Sequence, residues 1–198
     1  KKYEINNVVN LAAQAGVRHS LKNPYVYVES NVLGQVNMLE LAKNVEAKKF
    51  IYASSSSVYG GNKEMPFSVS QRVDNPISLY AATKKSSELI AECYSHLFNI
   101  KCIGLRFFTV YGPFGRPDMA LFKFTKAILN GEPIDVYNHG NMTRDFTYID
   151  DLVWAIRLLM DTIPSQFDDK AGSRLAIDSQ SPVAPFRLVN IGNSQPET

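Results

Sequence analysis

Eleven glycines are scattered through the chain, yet none of them falls into G-x-G-x-x-G or G-x-x-G-x-x-G, and no P-loop is present. The sequence therefore carries no turn of the kind that lets backbone approach a pyrophosphate at a helix N-terminus. Cysteine is nearly absent too. Cys93 and Cys102 are too few for a disulfide framework and are expected to be ordinary helix and strand residues of a reducing cytosol. The three histidines, His19, His96 and His139, show no metal-ligand spacing, so no metal is expected. No basic run exceeds two residues, and 21 Lys+Arg against 19 Asp+Glu leave a formal charge of +2. Nucleic acid and anionic membranes are accordingly poor partners. No apolar stretch approaches the ~20 residues of a membrane span. The opening Lys1-Lys2-Tyr3-Glu4-Ile5-Asn6-Asn7 is too polar for a signal peptide, which makes a cytoplasmic protein the expectation.

What is present is a hydrophobic content of 45% in 198 residues, enough to bury a core of one or two domains. Apolar runs alternate with amphipathic segments, the pattern of a parallel sheet covered by helices. Strands are expected at Val8 to Ala12, Phe50 to Ala53, Ile100 to Phe107 and Leu188 to Gly192. Helices are expected at Tyr25 to Val45, Tyr80 to Leu97, Met119 to Leu129 and Ile149 to Met160, with Ile134 to Tyr137 extended. Prolines and glycines in Tyr111-Gly112-Pro113-Phe114-Gly115-Arg116-Pro117 mark a loop where the rhythm changes, and the polar, proline-bearing stretch Phe167 to Pro185 is expected to be a loop or a partly disordered insertion.

Two segments carry the residue types of proton transfer. Tyr80 and Lys84 lie at i and i+4 in a helical stretch, which puts phenol and ammonium on one face. A nearby positive charge favours the phenolate, so the Tyr80 pKa is expected to fall toward the working pH, as a general base requires. The spacing alone is weak: Tyr59-Gly60-Gly61-Asn62-Lys63 repeats it within a turn, where it guarantees no shared face. A solvated lysine beside a core tyrosine is the plain alternative. The second segment is the serine run Ser54-Ser55-Ser56-Ser57, which leaves the C-terminal end of an expected strand, the edge where open parallel sheets bind ligands. Serines that merely satisfy backbone at a strand end are the alternative here.

Six pieces stand in a familiar order: Val8-Val9-Asn10-Leu11-Ala12-Ala13, Ser30-Asn31-Val32-Leu33-Gly34, Ser54 to Gly60, Tyr80 to Lys84, Leu105-Arg106-Phe107-Phe108-Thr109-Val110-Tyr111-Gly112-Pro113, and Arg144-Asp145-Phe146-Thr147-Tyr148-Ile149-Asp150-Asp151. With them the chain resembles, over nearly its whole length, the extended short-chain dehydrogenase/reductases, and within these the nucleotide-sugar epimerases and dehydratases. The resemblance implies an α/β, Rossmann-like fold in which residues 1–112 are the C-terminal part of an NAD-binding domain, 113–185 mainly bind a UDP-sugar, and 186–192 return to the sheet. It also implies that the glycine-rich turn and the first strands precede Lys1, so that the chain is an internal portion of a longer enzyme and inactive by itself.

In that family NAD stays bound, and a tyrosine takes the proton of the sugar 4-hydroxyl while hydride leaves C4. By resemblance Tyr80 is that base. Lys84 supports the phenolate and the cofactor ribose, and Ser55 holds the same hydroxyl, with Ser56 and Ser57 as rivals. Leu11, Ala12, Ala13, Gln14, Ser30, Tyr80, Lys84 and Phe108 match cofactor-contact positions, with plain strand packing as the alternative for Ala12 and Ala13. Arg144 matches the arginine that binds the nucleotide diphosphate, a task suited to a guanidinium fork; a surface arginine paired with Asp145 is the alternative. Thr109 falls near the sugar or phosphate. Gly115-Arg116-Pro117-Asp118-Met119-Ala120 resembles the segment of UDP-glucuronate 4-epimerases, which implies that Arg116, helped by Ser57 and Thr109, clamps a C6 carboxylate and so discourages decarboxylation of the 4-keto intermediate. Dehydratases and decarboxylases of the family commonly place an acid where this chain has Ser57, so the expected reaction is 4-epimerisation of UDP-glucuronate to UDP-galacturonate. UDP-glucose 4-epimerase, another nucleotide-sugar dehydratase or decarboxylase, and a non-catalytic dinucleotide-binding module are the alternatives. A homodimer packed on Leu89, Ile90, Cys93 and Leu97 is weighed against burial of that face within one subunit.

Overall fold

The computed structural model describes residues 3–162, 164 and 179–197. Four strands, β1 (Asn7–Asn10), β2 (Lys49–Ala53), β3 (Lys101–Phe107) and β6 (Phe186–Ile191), form one parallel sheet in the order β1-β2-β3-β6. Their apolar runs are nearly continuous because a parallel sheet is covered on both faces. Alternate side chains sort accordingly. Phe50, Tyr52 and Cys102 pack with Leu39 and Ala42 of helix α3 (Gly34–Asn44) and Ala91 of helix α4 (Leu79–Phe98). Ile51, Ile103 and Leu105 pack with Leu152 and Ile156 of α6 (Ile149–Asp161) on the opposite face. The buried Lys49 seals that second layer by donating to the carbonyls of Leu159 and Met160 at the end of α6, where cation and helix dipole agree. Gly104 lies opposite Tyr52 in the register, and a Cβ there would sit 2.5 Å from the Tyr52 hydroxyl, so the strand pair closes only over a glycine.

The helix expected from Tyr25 begins at Pro24, whose missing N–H costs nothing at a first helical position. Helix α1 (His19–Lys22) precedes it, and α2 (Pro24–Tyr27) continues through a wider π-type turn, Val28–Leu33, into α3. Helix α4 starts at Ser78, whose hydroxyl accepts from the Ala81 N–H at 3.1 Å, and ends at Asn99 in the left-handed region. A second, smaller sheet pairs β4 (Thr109–Tyr111) parallel with β5 (Arg144–Tyr148), and β5 antiparallel with β7 (Pro196–Glu197). Helix α5 spans Ala120–Leu129.

Two expectations need correction. The strand at Val8 to Ala12 stops at Asn10, because the Asn10 side chain turns to accept from the Ala12 N–H at 3.3 Å and the chain leaves the sheet. The extended segment at Ile134 to Tyr137 pairs with no strand among the described residues and ends in a short turn, Tyr137–Gly140, in which Asn138 and His139 adopt left-handed backbone that no strand continues through. The loop expected at Phe167 to Pro185 lies largely outside the described residues; from Ser179 to Pro185 the chain has no regular structure. No helix among the described residues is long and apolar enough to cross a membrane.

Candidate active site

The site gathers where β2 ends. Beyond Ala53 the serine run passes the N-terminal half of α4, and three residues of one face of that helix, at i, i+4 and i+8, meet the run or the strand end before it. Tyr80 interacts with Ser55, the Lys84 ammonium donates to the Ala53 carbonyl at 2.8 Å, and Glu88 accepts from the Ser54 hydroxyl at 2.6 Å. Ser55 is nearly buried and extended; its hydroxyl also accepts from the Ser57 N–H at 3.1 Å, capping the tight turn Ser56–Tyr59. Of the three rival serines, Ser55 is the one brought to Tyr80. Tyr59 of the look-alike spacing is buried in that turn, whereas Lys63 is exposed, so no shared face exists there. Gly60, which follows, has φ 55°, and a Cβ on it would lie 2.2 Å from the Asn75 carbonyl oxygen.

The expected electrostatics of the pair are corrected by the structure. Burial pushes the Tyr80 phenol up from its ordinary range; the Ser55 hydrogen bond and then the Arg116 charge pull it back, and Tyr27, packed edge-on at 6.3 Å, adds to the rise. Lys84 does not set this balance. Its ammonium is 6.0 Å from the Tyr80 ring centroid, is turned toward Ala53, and is itself pulled down to about 8 by desolvation.

The remaining candidates lie in the loops beyond β1 and β3, in the π-type turn, and in the second sheet with its flanking loop. Leu11, Ala12 and Ala13 are exposed in the loop beyond β1, not in a strand, and the Gln14 N–H donates to Asn31 at 2.8 Å. Ser30 lies in the π-type turn, a feature frequent at functional sites. Phe108 follows β3 and joins the rings of Phe67 and Tyr59. Thr109 opens β4 and is partly buried. Arg116 reaches across from the loop after β4 to the Ala15 carbonyl at 3.3 Å, and Asp118 grips it with contacts of 2.5 and 3.0 Å. Arg144 is exposed, donates to its neighbour's carbonyl at Thr143, and has no carboxylate partner among the described residues; Asp145 instead accepts from the N–H groups of Asn193 and Ser194.

Residues 1–169 match the family described as NAD dependent epimerase/dehydratase. The chain belongs to this family. It is 55% identical over 189 residues to a probable UDP-glucuronate 4-epimerase of Rhizobium meliloti, covering 96% of this chain and 55% of that protein. It is 49% identical to UDP-glucuronate 4-epimerase 1 of Arabidopsis thaliana, covering 97% of this chain and 44% of that one. A solved structure, UDP-glucuronic acid 4-epimerase from Bacillus cereus in complex with UDP-glucuronic acid and NAD, superposes with a TM-score of 0.77 at 33% identity, over 98% of this chain and 55% of that one. The chain thus spans about half the length of the curated relatives it matches.

Three residues for which the sequence suggests no role stand out against this epimerase/dehydratase background. Asn31 is buried and donates to the Gln14 carbonyl and to the Thr83 hydroxyl, each at 3.0 Å, tying the loop beyond β1 to the residue next to Lys84. Glu88 and Arg106 form a buried, two-pronged ion pair at 2.8 and 2.9 Å. The available signals were an acid four residues after Lys84 and an arginine inside an apolar strand, both anomalous unless paired.

Proposed function

We propose that the whole protein catalyses 4-epimerisation of a UDP-sugar, with UDP-glucuronate and UDP-galacturonate as the substrate pair and NAD as cofactor. The observation that carries this reading is the convergence of Ser55, Tyr80 and Lys84 at the C-terminal edge of a parallel sheet. The residues present suit part of a bound NAD: Lys84 is buried, yet only one of its three N–H groups has a protein acceptor among the described residues, and the small, exposed Ala12 and Ala13 allow close approach. NAD, when bound, supplies the acceptor and later the donor of the C4 hydride. Tyr80 takes the proton of the sugar 4-hydroxyl as the ketone forms and returns it after the sugar has presented its other face. Ser55 donates to the same oxygen and holds it in line. Ser57 offers a hydroxyl and no carboxylate, so nothing at that position does acid-base work beyond C4.

The charge of Arg116 favours the Tyr80 phenolate, which supports a carboxylate-bearing sugar at this site. Asp118 already occupies its fork, which is the observation favouring the second reading, a neutral UDP-glucose and UDP-galactose pair. Arg144, with no carboxylate partner among the described residues, suits the diphosphate. The named activities of the relatives agree with this assignment. A homodimer through α4 belongs to the same proposal: Ile90 turns toward the core, whereas Leu89 (56%), Leu97 (63%) and Cys93 are exposed.

Tyr80→Phe in the whole enzyme tests the assignment of the base. The expected outcome is an unchanged circular-dichroism spectrum, retained NAD binding and no measurable exchange between the 4-epimers, because only the phenolic hydroxyl is removed. Epimerisation surviving in this variant would show that another group is the base.

A further inference from the structure

Glu88 and Arg106 take no part in the proton transfer described above, yet they are among the most deeply buried side chains of the protein, each with a side chain only 1% exposed. Burying two charges costs several kcal/mol per ion, and an apolar pair of similar volume is commonly as stable or more so. A geometric task is the better account of their presence, and their contacts say which one. Glu88 stands one turn beyond Lys84 and two beyond Tyr80 on the same face of α4. One carboxylate oxygen accepts from both Ser54 Oγ (2.6 Å) and Arg106 Nε (2.8 Å), and the other accepts from Arg106 Nη2 (2.9 Å) and lies 3.5 Å from the Lys85 ammonium. Arg106, from the end of β3, extends the chain: its Nη1 donates to the Tyr59 hydroxyl at 3.2 Å, which donates to Asn190 of β6 at 2.7 Å, and the Asn190 amide donates to the Phe67 carbonyl at 2.9 Å. The Ser54 N–H meanwhile donates to the Leu105 carbonyl at 2.7 Å. The serine segment is therefore fixed at both ends, at Ser54 by Glu88 and at Tyr59 by Arg106, and Ser55 lies between these two ties.

We propose that Glu88 and Arg106, acting through Ser54 and Tyr59, are positioning residues that hold the Ser55 hydroxyl in register with Tyr80. One face of α4 thus meets the end of β2 and the serine segment at three points, Tyr80 with Ser55, Lys84 with Ala53 and Glu88 with Ser54, and the ion pair fixes the last of these. A bidentate fork fixes both the rotation and the height of the carboxylate, which a single hydrogen bond does not. The proposal rests on Tyr80 and Ser55 acting as a pair.

Ser54→Ala is the mildest test, because it cuts the serine tie and leaves the ion pair in place. Phenolate absorbance is titrated in Ser54→Ala and in the parent protein, each corrected by the same protein carrying Tyr80→Phe, so that Tyr80 alone is observed and no substrate is needed. The expected result is Tyr80 ionising at higher pH in Ser54→Ala, with Ser54→Thr restoring the parent curve. In turnover, kcat should fall by about tenfold or more while KM stays within about twofold, as for lost alignment and not lost binding. Coincident titration curves, or a kcat and pH profile equal to the parent with only the melting temperature lowered, would overturn the proposal and leave the pair a purely structural one. Should Ser54→Ala fail to fold, Tyr59→Phe cuts the opposite tie and is read the same way. If the parent protein epimerises no UDP-sugar, the functional reading falls, while the Tyr80 titration still decides this one.

Discussion

Lys84 owes its properties to its surroundings more than to its spacing from Tyr80. Its ammonium is buried against a single carbonyl, and desolvation brings its pKa to about 8. An exposed lysine in the unfolded chain titrates near 10.4, so at pH 7 folding pays to keep Lys84 charged. Between about pH 8 and about pH 10.4 the unfolded chain binds the extra proton, and stability attributable to this residue rises with pH. Lys84→Met should therefore abolish epimerisation while melting at an equal or higher temperature than the parent at pH 7, and that advantage should shrink by pH 10. A large loss of thermal stability at pH 7 would contradict this account of Lys84. The i,i+4 spacing places Lys84 near Tyr80 but does not show its direction toward Ala53 or its desolvation, because neither is visible in such a pattern.

Helix α4 is the element that organises the site, and its start decides where Tyr80 stands. Ser78 caps it two residues before the tyrosine, so Ser78→Ala should cost about 1 kcal/mol in denaturant unfolding and lower kcat more than this modest loss of stability suggests, since the first turn frays where Tyr80 sits. Equal kcat in the two proteins would show that packing against Tyr27 and Ser55 holds the turn unaided. The helix itself was legible to within a residue at each end, as were β2 and β3, because amphipathic period and continuous apolar runs are strong signals. Strands β4 and β5 were not: each is short and half-exposed, and their pairing joins residues 109–111 to 146–148, a contact that no local pattern announces. Glu88 and Arg106 are likewise not legible as a pair, since a buried ion pair shows in sequence only as two misplaced charges.

At the scale of the whole molecule, the sheet sets three chain segments side by side at one edge, the loops beyond β1, β2 and β3, and with them the Ala12–Ala13, Ser55 and Phe108 positions that are far apart in sequence. That assembly was foreseeable only through family resemblance, because topology, not composition, brings them together. The opposite surface of α4 carries the exposed Leu89 and Leu97; under the proposed α4 homodimer, the parent protein should run as a dimer on size-exclusion chromatography with light scattering and the variant with both replaced by lysine as a monomer, and equal masses would remove the α4 interface from the proposal. The central claim concerns the reaction. Incubating the whole protein with NAD and UDP-glucuronate and separating the nucleotide sugars by chromatography tests it most directly. The account predicts that UDP-galacturonate appears, without carbon dioxide release, and that the same mixture is reached from UDP-galacturonate. Unchanged UDP-glucuronate beside interconverted UDP-glucose and UDP-galactose, or a decarboxylated product, would contradict it.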